Sequence, residues 1–109
     1  MDTRSLQFIG AACAAERLSG SEELRVRRVC TDSRHVQAGD LFFALPGERF
    51  DGHEFLGEAV RKGAVAVVVE RGRSIADAGR CAVLAVEDTR KALGRLAAAY
   101  RNDFTLRFD

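Results

Sequence analysis

The chain has 109 residues, 47% of them hydrophobic and 30% charged, the balance of one ordinary globular domain with a single core. Seventeen basic against sixteen acidic residues leave a formal net charge of +1, without the basic excess that nucleic-acid binders need. No apolar run approaches the roughly 18 residues of a membrane span, and the start, Met1-Asp2-Thr3-Arg4, lacks the apolar stretch of a signal peptide, so a cytoplasmic domain over residues 1–109 is expected.

Taken from the N-terminus, Ser5 can cap a first helix that places Leu6, Ile9 and Cys13 on one face, with Gly20 positioned to end it. Residues 24–30 alternate apolar positions with Arg25, Arg27 and Arg28. The alternation slips at Arg27-Arg28, which predicts a half-exposed strand with a bulge. Gln37-Ala38-Gly39-Asp40 reads as a turn, and residues 41–45 as a buried strand broken by Pro46-Gly47. A second helix starts near Gly52-His53, with Leu56, Ala59 and Val60 on its apolar face and Gly63 just past its end. Residues 64–69 are continuously apolar and β-branched, as in a central parallel strand. With residues 41–45 and the helix between, they predict a right-handed βαβ unit.

Residues 71–80 read as a loop with one helical turn, and residues 82–86 as another apolar strand. Asp88 or Thr89 can cap a last helix, in which Leu93, Leu96, Ala97 and Tyr100 share a face. Phe104, Leu106 and Phe108 alternate like the start of a further strand, so a longer protein is expected to continue past Asp109. The predicted fold is α/β in three layers, a mixed and mainly parallel sheet flanked by helices.

Several chemistries find no support. Cys13, Cys30 and Cys81 are odd in number and never spaced as CxxC, which suits small hydrophobes in a reducing compartment. The nearest approach to a phosphate-binding loop runs from Gly57 to Gly63, one residue too long and followed by Ala64 in place of Lys. Asp51 and His53 have no third metal ligand beside them.

What remains is one dense run. Thr31-Asp32-Ser33-Arg34 and Gly47-Glu48-Arg49-Phe50-Asp51-Gly52-His53 flank the buried strand, and polar groups at both its ends would lie at the sheet's rim, where α/β proteins bind ligands. One reading is scaffold. Asp32 and Ser33 bond their own turn, Arg34 pairs with Asp32 or Asp40, Asp51 caps a helix, and Gly52 takes a positive φ. The other is a polar cradle, with small hydroxyls and backbone amides for a nucleobase or sugar and Arg34 and Arg49 for phosphates. A Ser33–His53–Asp51 triad is a third reading, although proximity in sequence is poor evidence for one.

The pattern Thr31-Asp32-Ser33-Arg34-x-Val36-x-x-Gly39-Asp40-Leu41-Phe42-x-Ala44-Leu45-x-Gly47, followed by Asp51-Gly52-His53-x-Phe55, Ala59 and Gly63-Ala64-x-Ala66, resembles the N-terminal domain of the Mur ligases. The resemblance covers nearly the whole chain. It implies a three-domain enzyme of peptidoglycan synthesis. The first domain holds the UDP end of a UDP-N-acetylmuramoyl-peptide, the second binds ATP and magnesium, and the third closes over the site. The substrate carboxylate is activated as an acyl phosphate and attacked by an amine.

The resemblance also implies that Thr31, Ser33, Arg34 and the loop Glu48-Arg49-Phe50 lie against the uridine nucleotide, with a scaffolding role open for Arg34 and His53. It implies no catalytic residue and no metal ligand in this chain. The family's ATP loop and carbamylated lysine are expected beyond Asp109, so the excised domain would be a monomer inactive by itself. The form of residues 47–53 is most similar to the ligases that join D-alanyl-D-alanine to UDP-N-acetylmuramoyl-tripeptide. The tripeptide-forming ligases, a non-catalytic binding module of the same fold and a small hydrolase using Ser33 are the alternatives.

Overall fold

The segments that are apolar on both faces build the centre of the sheet. A computed structural model of the chain describes residues 3–101. In chain order the elements are β1 (Arg4–Ser5), α1 (Leu6–Cys13), β2 (Glu16–Ser19), β3 (Arg25–Val26), β4 (Arg28–Cys30), β5 (Asp40–Phe43), α2 (Leu56–Arg61), β6 (Ala66–Glu70), β7 (Ala82–Val86) and α3 (Thr89–Arg101). Short 3-10 turns cover Ser33–His35, Gly52–Phe55 and Ala76–Ala78. The main sheet runs β2-β7-β6-β5-β4. Strands β4 to β7 are mutually parallel, and β2 is antiparallel to β7.

Period-two alternation sends each central strand's side chains into two cores. Leu41, Phe43, Ala66, Val68 and Leu84 meet Leu6, Ile9, Leu96 and Tyr100 of α1 and α3. Phe42, Ala44, Val67, Val69 and Val83 meet Leu56 and Ala59 of α2 and Ala78 of the following turn. The predicted three-layer, mainly parallel arrangement is the observed one. No described helix is long and apolar enough to cross a membrane.

The expected caps form. Ser5 Oγ accepts from Phe8 N at 3.1 Å, and Asp88 Oδ1 accepts from Lys91 N at 3.0 Å at the start of α3. The second helix opens as the turn Gly52–Phe55 and becomes α-helical at Leu56.

Three expectations need correction. The first helix ends at Ala14, at φ 55°, well before Gly20. The intervening residues add an exposed edge strand, β2, against β7, so a tertiary pairing overrides the helical continuation. Gly20, at φ +97°, instead turns the chain where a Cβ would lie 2.3 Å from Ala82 Cβ. The single bulged strand over residues 24–30 is two strands, because the chain changes sheets at Arg27. Strand β3 pairs with β1, and β4 pairs with β5. The strand foreseen over residues 104–109 lies outside the described residues.

Parallel pairing of β4 with β5 is held by an ion pair whose carboxylate is buried and whose guanidinium is partly exposed. Asp40, 1% exposed, accepts from Arg28 Nη2 at 2.7 Å and Nε at 3.2 Å, and from Gln37 N at 2.8 Å. Asp40→Ala leaves the Arg28 guanidinium without its carboxylate and should lower the unfolding free energy by about 3 kcal/mol. Urea denaturation checks this, and a loss under about 1 kcal/mol would show the pair to be dispensable.

Candidate ligand-binding cleft

Because β4 and β5 are parallel, the loops that follow them emerge at the same carboxyl edge of the sheet. The expectation of polar clusters at opposite ends of the buried strand is therefore corrected. Residues 31–34 leave β4 and residues 44–53 leave β5 side by side, and they border a cleft of about 670 Å³. Thr31, Ser33 and Arg34 line it from the first loop, and Phe50 and Gly52 from the second. Phe55 and Glu58 line it from the turn and helix beyond. Glu48 and Arg49, expected in the same set, are exposed on the second loop and outside this lining.

The aromatic wall is solvent-facing. Phe50 is 69% exposed and meets Phe55 edge-on, with ring centroids 6.1 Å apart at 65°. Such a large exposed ring beside a cleft is a platform for a planar ligand. Opposite in character is Ser33, which is buried and donates its hydroxyl proton to Glu58 Oε1 at 2.6 Å. Glu58 was not among the residues singled out from sequence. Its spacing of three from Phe55, which puts both on one side of the helix start, was the available signal.

Arg34 follows the scaffold reading. Its guanidinium forks onto Asp32, with Nη2 at 2.7 Å and Nε at 3.0 Å, while Asp32 Oδ1 also accepts from Arg34 N at 2.9 Å. The side-chain bond from Arg34 holds the Asp32 carboxyl down at about 2. Asp40, the other partner considered for Arg34, belongs to Arg28.

Asp51, Gly52 and His53 form a closed unit. Asp51 Oδ1 accepts from His53 N at 3.0 Å and meets His53 Nδ1 at 2.7 Å. Arg73 binds its other oxygen. His53 Nε2 accepts from Glu70 N at 2.9 Å. A backbone N–H forces Nε2 to be the acceptor, so the neutral ring carries its proton on Nδ1 and donates it to Asp51. Both ring nitrogens are thus engaged, and His53 has none to offer Ser33, whose own proton goes to Glu58. The geometry contradicts the Ser33–His53–Asp51 triad. Gly52 also has a different reason from the one expected. It lacks a positive φ, but a Cβ there would stand 2.7 Å from Leu45 N and 3.0 Å from Ala44 Cα. Close backbone approach is what calls for glycine.

Further anchors hold the second loop. Pro46 and Asp51 form an isolated antiparallel bridge, and Arg90 at the start of α3 donates to Pro46 O at the rim. Glu70 Oε2 accepts from Thr89 N and Oγ1, both at 3.1 Å. Among the described residues no three His, Cys, Asp or Glu side chains stand together as metal ligands. All three cysteines are free and buried, and burial pushes the Cys13 thiol up to about 12, against a smaller lowering from Arg95.

Comparison with known proteins bears on the whole chain. A family model described as "Mur ligase family, catalytic domain" matches residues 25–101. The chain is 43% identical over 91 residues to the UDP-N-acetylmuramoyl-tripeptide--D-alanyl-D-alanine ligase of Synechocystis sp., a match covering 79% of this chain and 19% of that protein. It is 52% identical over 73 residues to the UDP-N-acetylmuramoyl-L-alanyl-D-glutamate--2,6-diaminopimelate ligase of Aquifex aeolicus, covering 67% of this chain and 14% of that protein. Among solved structures, MurF from Acinetobacter baumannii superposes with a TM-score of 0.82 at 36% identity, over 94% of this chain and 22% of that one. MurF ligase from Thermotoga maritima in complex with ADP superposes at 0.60 with 38% identity, over 73% of this chain and 18% of that one. The chain spans about a fifth, or less, of the length of the proteins it matches.

Acid should loosen the cleft before it unfolds the cores. Burial alone would raise Asp51, but bonds from the His53 backbone and ring and from Arg73 outweigh it and hold the carboxyl at about 2. Asp32 stands at about 2 as well. Both lie below the ordinary 3.8, so the stability they contribute is fully present above about pH 4 and is lost as pH falls through about 2. In an acid titration followed by circular dichroism, Asp51→Asn should be less stable than the parent at pH 7 and lose stability less steeply below pH 4. Parallel acid limbs for the two proteins would refute this assignment.

Proposed function

The chain belongs to the Mur ligase family, and on that premise we propose that it is the domain holding the uridine nucleotide of UDP-N-acetylmuramoyl-tripeptide for a ligase that adds D-alanyl-D-alanine. The observation that carries this reading is the convergence of two loops, from adjacent parallel strands, on one cleft with an exposed aromatic ring and buried polar groups. A nucleotide needs those features: a flat apolar surface for the base, and hydrogen-bond partners for its edge and ribose. Thr31, Ser33 and Phe50 border the base and sugar in this reading. Arg34 braces the first loop through Asp32, and on the exposed second loop Arg49 is the cation available to the outgoing diphosphate, with Glu48 beside it. The close superposition on MurF from Acinetobacter baumannii supports it.

ATP and magnesium belong to other parts of the whole ligase in this reading. The sequence has no phosphate-binding loop, and the described residues present no metal-ligand cluster. Cytoplasmic placement and a monomeric state are parts of the same proposal. A second reading, a ligase adding the third stem residue, is favoured by the 52% identity to the Aquifex aeolicus enzyme. Both readings share the nucleotide cleft and differ in the amine acceptor.

Titration of the chain with UDP-N-acetylmuramoyl-tripeptide, followed by amide chemical shifts, should move Thr31, Ser33, Phe50 and Phe55 saturably. Phe50→Ala should weaken binding roughly tenfold, the scale of one base–aromatic contact. No saturable shift at these residues would count against the proposal. The complete protein should join D-alanyl-D-alanine to the tripeptide substrate. Use of diaminopimelate with the dipeptide substrate instead would select the second reading.

A further inference from the structure

The polar floor of the cleft carries its own chemical preference. Ser33 has one hydroxyl proton, and Glu58 Oε1 takes it at 2.6 Å. Toward a ligand, Ser33 is left as an acceptor only. Glu58 Oε2 has no hydrogen-bond partner among the described residues, and the side chain borders the cleft beside Phe55. The lining of the cleft carries two carboxylates, Asp32 and Glu58, and one guanidinium, Arg34, already forked onto Asp32, while Lys62, outside the lining, is bound to Arg34 O at 3.2 Å. That charge balance repels a diphosphate and attracts a proton donor. A nucleotide entering this cleft must therefore lead with its base and leave its phosphates at the mouth.

We propose that Glu58, held by Ser33, is the specificity-determining residue that reads the base, accepting the N3–H of a uracil ring laid against Phe50. The inference rests on the nucleotide-holding function proposed above. Uracil presents a donor at N3, whereas cytosine presents a lone pair there, and a carboxylate oxygen facing that lone pair is repelled. Ser33 acts as a positioning residue, since its bond fixes which carboxylate oxygen points at the ligand. The aromatic contact is indifferent to this distinction, because both pyrimidines have a π-face. Discrimination thus rests on the Glu58 carboxylate, with Ser33 setting its orientation.

Calorimetric titration with uridine diphosphate and cytidine diphosphate, at one salt concentration, tests the assignment. The parent chain should favour uridine diphosphate by roughly tenfold to a hundredfold, the effect of one hydrogen bond to a charged group. Glu58→Gln, whose amide can also donate, should bring the ratio to about one or reverse it. Glu58→Ala should bring the ratio close to one, and Ser33→Ala should reduce it only in part. Amide spectra of each variant confirm the fold. An unchanged ratio in both Glu58 variants, with uridine diphosphate still bound, would overturn the inference alone. Failure of the parent to bind either nucleotide would overturn the underlying function and the inference with it.

Discussion

Parallel pairing of β4 with β5 is the constraint on which the rest of the molecule depends. Val29 faces Leu41 and Cys30 faces Phe42 in that register, and the strands run in one direction only because the intervening residues cross back over a turn. Were the pair antiparallel, the two polar loops would stand at opposite edges of the sheet and no cleft could form between them. The Arg28–Asp40 pair guards this register. It joins the first residue of each strand, where a one-residue slip would bring a buried carboxylate against apolar neighbours.

The second loop is then held from three directions. Asp51 binds the turn that it caps, the ring of His53 reaches the end of β6, and Arg73 returns from the loop beyond. Glu70 ties that same strand end to the start of α3 through Thr89. His53 and Asp51, which first suggest catalysis beside Ser33, spend their hydrogen bonds on each other, on Arg73 and on backbone, while Ser33 donates to Glu58. Phe50 is left as the exposed aromatic ring of the cleft, and Ser33 and Glu58 are left with acceptor capacity toward it. No ring nitrogen of His53 is left to relay a proton to the Ser33 hydroxyl, whose own proton goes to Glu58.

A domain of this kind suits the Mur ligase family, whose matched chains this one covers to about a fifth of their length. Rigid anchoring of a recognition loop to the sheet lets binding proceed with little ordering cost. In the proposed function, Glu58 in the cleft and Arg49 further along the second loop would orient a nucleotide, base inward and phosphates outward.

Much of the architecture was legible in the sequence because the signals were local. The continuous apolar runs before Glu70 and within Ala82–Val86 mark central strands, and the spacing of Leu6, Ile9 and Cys13 marks a helix face. Asp32 and Asp51 sit where turn chemistry puts them. The edge strand Glu16–Ser19 was not legible, since four exposed residues carry no periodic signal and owe their conformation to pairing with β7. The slip at Arg27-Arg28 was visible, but its meaning, a change of sheet, lies in partners distant along the chain. The sequence by itself determined the central strands, the helices' apolar faces, the turn residues and the stretch that borders the cleft. Tertiary structure alone decided that the two polar clusters share one edge, that Ser33 answers to Glu58, and that His53 is committed to the scaffold. The Ser33–Glu58 and His53–Glu70 bonds and the shared edge all join residues distant in sequence, which the packing of parallel strands brings together.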